Sequence, residues 1–174
     1  EAEKSEIVRN HRDLVVNIHR YLAWLMHAES EIGENGRIEN ARLQTLLKTF
    51  LENDGYDVSL GAMLFTGMVE RVMALVSRVE GTYEFEVQPL REYFAARYLY
   101  ETAPYSPTGA EKRGTKPDRF DIIARNFYWL NVARFYAGCH SKGELTSLID
   151  RLEELFKDEK FRLTFHPRYL ASIL

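Results

Sequence analysis

The chain has 174 residues, with 23 lysines and arginines against 26 aspartates and glutamates and a formal net charge of −3. With 45% hydrophobic and 28% charged residues, this is the composition of a globular chain long enough to bury a core, not of a disordered or fibrous one. The weak negative charge gives no electrostatic footprint for nucleic-acid phosphates, and the single cysteine, Cys139, excludes an intrachain disulfide and a cysteine-rich zinc site.

No apolar run approaches the roughly 18 uncharged residues of a membrane span, and no basic-then-apolar leader is visible, so a cytoplasmic location without membrane contact is expected. Glu1 and the apolar tail Ser172-Ile173-Leu174 read as cut points within a longer protein.

From residue 6 to residue 31, Ile7, Leu14, Ile18, Tyr21 and Leu25 recur at helical spacing, with Leu22 and Trp24 widening the stripe, which predicts a long first helix. Gly33 and Gly36 break it, and Arg37-Ile38-Glu39 suffices for one short strand. Asn40 offers an N-cap to a second helix carrying Leu43, Leu46, Leu47, Phe50 and Leu51, which ends at Asn53-Asp54-Gly55. Ser59 is placed to cap a third helix reaching Ala74, and Leu75 to Val79 and Thr82 to Val87 flank Glu80-Gly81 as a two-residue hairpin turn. Helix, strand, helix, helix, strand, wing, strand is the winged-helix plan, and residues 1–88 are assigned to it.

Pro89 suits a first helical turn, where its missing N–H would be unpaired anyway, so residues 89–101 read as a connecting helix with Leu90, Phe94 and Arg97 on one face. Residues 102–118 hold Pro104, Pro107, Pro117, Gly109 and Gly114 among polar neighbours and predict a loop. Residues 119–174 read as the start of a helical domain. One face carries Phe120, Ile123, Phe127, Leu130 and Arg134, and a further helix runs through Leu145, Leu148, Ile149, Leu152, Leu155 and Phe156. The expected fold class is therefore mainly α, a winged helix with a small β-sheet and wing followed by a helical domain. No second copy at a fixed period marks a repeat array.

The segment from Tyr83 to Leu99, and in it Phe85, Leu90, Glu92, Tyr93, Phe94, Ala95 and Ala96, resembles the signature of NACHT-type signal-transduction ATPases. These are STAND-class switches related to NOD-like receptors, in which the segment closes a winged helix and opens the helical region beyond. Arg134-Phe135-Tyr136-Ala137-Gly138, followed by Glu144-Leu145, resembles the first helical pair after that signature. The resemblance implies a regulatory fragment that holds an ADP-bound NTPase core closed until a trigger opens it, as in prokaryotic antiviral defence or stress signalling. ATP or ADP and Mg would then bind in the parent protein, other domains of the parent chain would be the partners, and activation would bring homo-oligomerisation.

Many family members carry a phosphate-sensing histidine where this chain has Val87, and valine cannot donate a hydrogen bond. The neighbouring Gln88 can, and is the candidate cofactor-sensing residue, although consecutive residues at a strand end face opposite ways. Met63, Phe65 and Met68 on the third helix, with Glu92 and Tyr93 of the signature, are the candidate interface residues. Glu92 also admits a plainer role, pairing with Arg91 or Arg97 on a solvated face. An adaptor or scaffold module without an NTPase, and a DNA-binding regulator, stay open as other readings.

A Walker motif needs a glycine-rich turn after a buried strand, then Lys followed by Ser or Thr. Gly109-Ala110-Glu111-Lys112-Arg113-Gly114-Thr115-Lys116 reverses that last pair, and Pro117 is expected to block the helix that should follow. No catalytic, metal or cofactor site is therefore expected in these residues, and no enzyme activity. The third helix from Ser59 has Arg71 as its only cation up to that residue, which argues against base readout of DNA. His11, His19 and His27 recur every eight residues, about 12 Å apart along a helix and too far for one metal, so they read as surface or helix-packing residues. Lys112, Arg113, Lys116 and Arg119, beside Tyr105, read as a solvated basic loop, with a partner or nucleic-acid contact as the other reading.

Overall fold

A computed structural model of the chain describes residues 6, 9–33, 35–69, 74–104, 113–161 and 165–173. They are mainly helical, with one small three-stranded antiparallel sheet. Two compact units meet between Phe94 and Ala95, inside a helix rather than at residue 88.

The first unit begins with α1 (Arg12–Glu31), followed by β1 (Ile38–Glu39) and α2 (Asn40–Asn53). Leu14, Ile18, Leu22 and Met26 form one buried row of α1 and Leu43, Leu47 and Leu51 one of α2, each at the four-residue spacing that stacks side chains on one face. Tyr21, Trp24 and Leu25 lie at the edge, half-buried. Asn40 is the first residue of α2 rather than its cap, and its N–H donates to Gly81 O at 2.9 Å.

The third helix is shorter and starts differently from expectation. Asp57 accepts from the Ser59 N–H at 2.8 Å and opens a 3-10 turn, Val58–Leu60, which leads into α3 (Gly61–Gly67). Ser59 therefore lies inside the turn instead of capping it, and residues 70–73 of the expected helix lie outside the described residues.

The strands β2 (Leu75–Val76) and β3 (Thr82–Phe85) complete a sheet of order β1-β3-β2. The predicted two-residue hairpin is wrong in register: Leu75 pairs with Phe85 and Val76 with Glu84, while Thr82 and Tyr83 pair with β1. The Thr82 N–H and Oγ1 donate to Val79 O at 3.0 and 2.9 Å, and the Ser77 hydroxyl donates to the same carbonyl at 3.2 Å, so residues 77–81 form the turn and 77–79 stay exposed. Glu84 faces away from the core and bridges Arg37 at 2.8 Å and Arg78 at 3.1 Å, tying both flanks of the sheet together.

The helix α4 (Gln88–Glu101) follows, its first turn closed by the Val87 carbonyl, which accepts from the N–H groups of Leu90 at 3.2 Å and Arg91 at 3.4 Å. The second unit contains α4 from Ala95 onward, α5 (Lys116–Ala124), a 3-10 turn (Phe127–Trp129), α6 (Leu130–Gly138), α7 (Lys142–Lys157) and α8 (Phe165–Ile173). There α5 packs against α6, α7 and α8, and α8 also packs against α6 and α7. Its larger buried side chains include Phe120, Ile123, Trp129, Val132, Tyr136, Leu148, Leu152, Leu155 and Leu170.

Residues 116–118, read as loop, are the first turn of α5. Pro117 opens this helix rather than blocking one, because a proline in the first turn loses no intrahelical bond.

Candidate functional site

The signature residues of the first unit cluster where β3 turns into α4. Phe85 ends β3 at 7% exposure, and its ring centroid lies 6.5 Å from that of His19 on α1 and 6.3 Å from that of Phe94 on α4. Phe94 is half-buried and 6.0 Å from the same His19 ring. His19 and Phe94 thus link α1 to α4, and Phe85 contacts both rings.

Glu92 does not lie on a solvated face: it is 2% exposed and accepts from Gln88 Nε2 at 2.8 Å, one helical turn back. That bond uses one of the donors that nucleotide sensing by Gln88 would require. Val87, at the position of the family's histidine, is half exposed and offers no polar atom. Tyr93 projects outward at 42% exposure, and Ala95 and Ala96 are fully buried.

Arg91 reaches back to α1, its Nη1 donating to Ser30 Oγ at 3.4 Å. Its guanidinium rests over Gly36, whose φ of +71° favours glycine, and a Cβ there would come within 2.4 Å of Nη1. Gly36 thus provides both the left-handed turn and the seat for Arg91. Next to that seat is His27, fully buried, whose pKa is pushed down to about 4, first by burial and then by the Arg91 charge. His19 is also held below its ordinary value by burial, although its Nδ1 hydrogen-bonds Val15 O at 2.7 Å.

The apolar patch expected on α3 and the residue after it is not one surface. Met63 is 43% exposed, but Met68 is 1% exposed and belongs to the core, and Phe65 is half-buried with its ring edge-on to Tyr83 at 5.5 Å. Helical phase accounts for this: Met68 follows Leu64 by one turn on the inward row, whereas Met63 leads that row by one residue.

The second unit has a polar cluster of its own. Lys116 Nζ lies 3.6 Å above the Tyr100 ring and donates to Glu144 Oε1 at 2.8 Å, while the Tyr100 hydroxyl donates to Glu144 Oε2 at 3.1 Å. Glu144 Oε2 also accepts from the Ser141 N–H at 2.9 Å, which caps the N-terminus of α7. Arg119 donates to the carbonyls of Leu99 at 2.6 Å and Thr102 at 3.1 Å, closing the C-terminal end of α4. The basic residues read as a solvated patch are therefore internal fasteners wherever they are described, apart from Arg113, which is exposed. Lys112 and Tyr105 lie outside the described residues.

Lys116, then Ser141, hold the Glu144 carboxyl down to about 2. A carboxylate whose folded pKa is depressed stabilises the fold above its unfolded pKa and loses that contribution as pH falls through the folded value. The second unit should accordingly weaken between pH 4.5 and 2. Solvent screening at this partly exposed pair limits the loss to about 1 kcal/mol. Thermal unfolding across that window should show it, and Glu144→Gln should flatten the profile. An unchanged slope in the variant would remove Glu144 as its source.

Among the described residues, no cluster of three or more histidine, cysteine, aspartate or glutamate side chains could hold a metal, and no helix is long and apolar enough to cross a membrane. His19 and His27 are helix-packing residues, one of the two roles expected of them, and Val15, His19, Ala23 and His27 form the four-residue row that places them inward. Compared with protein-family profiles, with curated proteins and with solved structures, the chain matches none.

Proposed function

We propose that this chain is the regulatory part of a NACHT-like STAND signalling ATPase, a winged helix followed by the start of a helical domain. It acts by holding an NTPase core, borne elsewhere on a longer chain, in its resting state. The observation that carries this reading is the order Phe85, Pro89, Glu92, Tyr93, Phe94, Ala95, Ala96 across a strand-to-helix junction, with Phe85, Glu92 and both alanines buried. A glutamate at 2% exposure in that order is more specific than an aromatic-alanine helix face, which simple packing would explain. The order of helices and strands up to Phe85, with β1 paired to β3, supports the winged helix.

Work in such a switch is done by interfaces, and the exposed residues offered to other domains are Met63 and Tyr93. A cytoplasmic prokaryotic defence or stress-signalling role, with oligomerisation on activation, belongs to the same reading.

A second reading, an adaptor without an NTPase, is favoured by Val87 and by the commitment of the Gln88 amide to Glu92. Two measurements separate them. Calorimetric titration of the chain itself with ADP or ATP and Mg should show no micromolar binding, and the longer protein should bind ADP tightly. Met63→Glu in the longer protein should raise basal ATP turnover severalfold, since one or two kcal/mol shifts a two-state equilibrium by that much or more. A charge at Met68 would unfold the domain rather than test the contact. Micromolar nucleotide binding by the isolated chain would overturn the assignment of the nucleotide site elsewhere. A longer protein that binds no nucleotide would leave the adaptor.

A further inference from the structure

The face that α1 turns toward β3 and α4 contains two imidazoles where aliphatic side chains would be ordinary. His19 is 1% exposed and His27 fully buried. The Nδ1 of His19 is engaged by Val15 O, while its Nε2 is buried with no hydrogen-bond partner. The rings around it are Phe85 and Phe94, neither of which stabilises an imidazolium as a carboxylate would.

The charged groups nearby do not help. On α4, Arg91 acts on His27 with a like charge and Glu92 is hydrogen-bonded to Gln88. On β3, Glu84 is taken by Arg37 and Arg78. On α1 itself, Glu29 pairs with Arg42 and Arg20 bonds Asn17. Burial is the largest influence holding charge off both rings, and at His27 the Arg91 charge adds to it.

We propose that the seam between α1 and the first turns of α4 is a proton-released latch, closed while His19 and His27 are neutral and opened when they take up protons. The two histidines sit two helical turns apart on one face, so protonation acts on both ends of the contact: the Phe94 end at His19 and the Arg91 end at His27. An imidazolium at His19 is a charge among aromatic rings, and one at His27 repels the guanidinium seated on Gly36.

The direction follows from linkage. Each ring binds protons more weakly when seated than when released, so the closed form is favoured above the ordinary histidine value and loses ground below it. For His27, with a seated value of about 4 against 6.5, the closed-to-open ratio falls about thirtyfold at pH 5, and His19 adds to this. The latch holds whether or not the chain belongs to an ATPase switch. It would make acidification, acting at the junction of β3 and α4, a regulator of how firmly the signature helix is held.

The experiment uses the full chain with Trp129→Phe, which leaves Trp24 on α1 as the only tryptophan, and follows its emission from about pH 8 to about pH 3. A reversible transition is expected with its midpoint between 4 and 6.5, and the variant without the two rings separates it from carboxylate titration at the lower end of that range. Replacing both rings, His19→Phe with His27→Leu, should move the midpoint below that window. A double variant that keeps the original midpoint would overturn the latch. NMR titration of the histidine ring nitrogens in the unsubstituted chain decides independently, should the double variant fail to fold. Both rings resisting protonation until the Trp24 signal changes supports the proposal, and ordinary titration of both near 6.5 in the folded chain overturns it.

Discussion

Phe85→Ala is expected to cost the first unit about 3 to 4 kcal/mol, a large share of the 5 to 15 kcal/mol that holds a typical domain together. The ring is 7% exposed at the end of β3, where its backbone pairs with Leu75 and its face meets His19 and Phe94. Truncation removes the transfer energy of the ring and leaves a cavity between a sheet, α1 and α4 that cannot collapse without breaking the strand register. The buried Nε2 of His19 lies in that neighbourhood, and water entering the cavity could satisfy it, which places the cost toward the lower end of the range.

Phe85→Leu keeps most of the volume and should cost about 1 to 1.5 kcal/mol. Urea denaturation read at Trp24 in a Trp129→Phe background measures both, and a loss below about 1 kcal/mol for the alanine variant would mean that Phe85 does not anchor the junction.

The difference between what was legible and what was not follows from range of interaction. Helical rows such as Leu14, Ile18 and Leu22, or Leu148, Leu152 and Leu155, are local periodicities and are buried as they predict, whereas Phe127 and Ile149, read onto the same kind of face, are exposed. Pro89 and Pro117 both mark helix starts. The second was misread because it was weighed against a Walker motif rather than as a first-turn residue in its own right.

Strand register was not legible, since the turn between β2 and β3 is set by its own bonds to Val79 O and is longer than Glu80-Gly81 alone, which shifts the pairing of β2 by one residue. Nor were the roles of Lys116 and Glu144, a pair separated by a helix and two turns, for no local pattern brings them to 2.8 Å. Glu92 shows the limit most plainly. Its neighbours Arg91 and Tyr93 are more exposed than it is, and only helical phase, set by which face α4 buries, turns a charged side chain inward.

Tyr136→Ala should destabilise the second unit by about 4 kcal/mol, nearly all of it through packing. The side chain is fully buried on α6, stacks on Phe120 with centroids 6.4 Å apart, and meets Tyr100 at 6.1 Å and His140 at 4.9 Å edge-on. Aromatic pairs of this kind contribute about 0.5 to 1.5 kcal/mol each beyond their buried area, and one substitution removes three.

The hydroxyl contributes less. It donates to Lys116 O at 3.0 Å, but Lys116 is the first residue of α5, so its carbonyl also has a place in the helical ladder and keeps a partner when the phenol is gone. Burial pushes the phenol pKa upward, so the group is a neutral donor at every working pH and adds no pH dependence of its own. Tyr136→Phe should therefore cost about 1 kcal/mol or less.

Denaturation followed at Trp129, which is 8% exposed in the same unit, reads the two variants side by side. The ratio of their costs decides the account. A phenylalanine variant that loses as much as the alanine variant would make the hydrogen bond to α5, rather than the aromatic stack, the element that holds α6 in place.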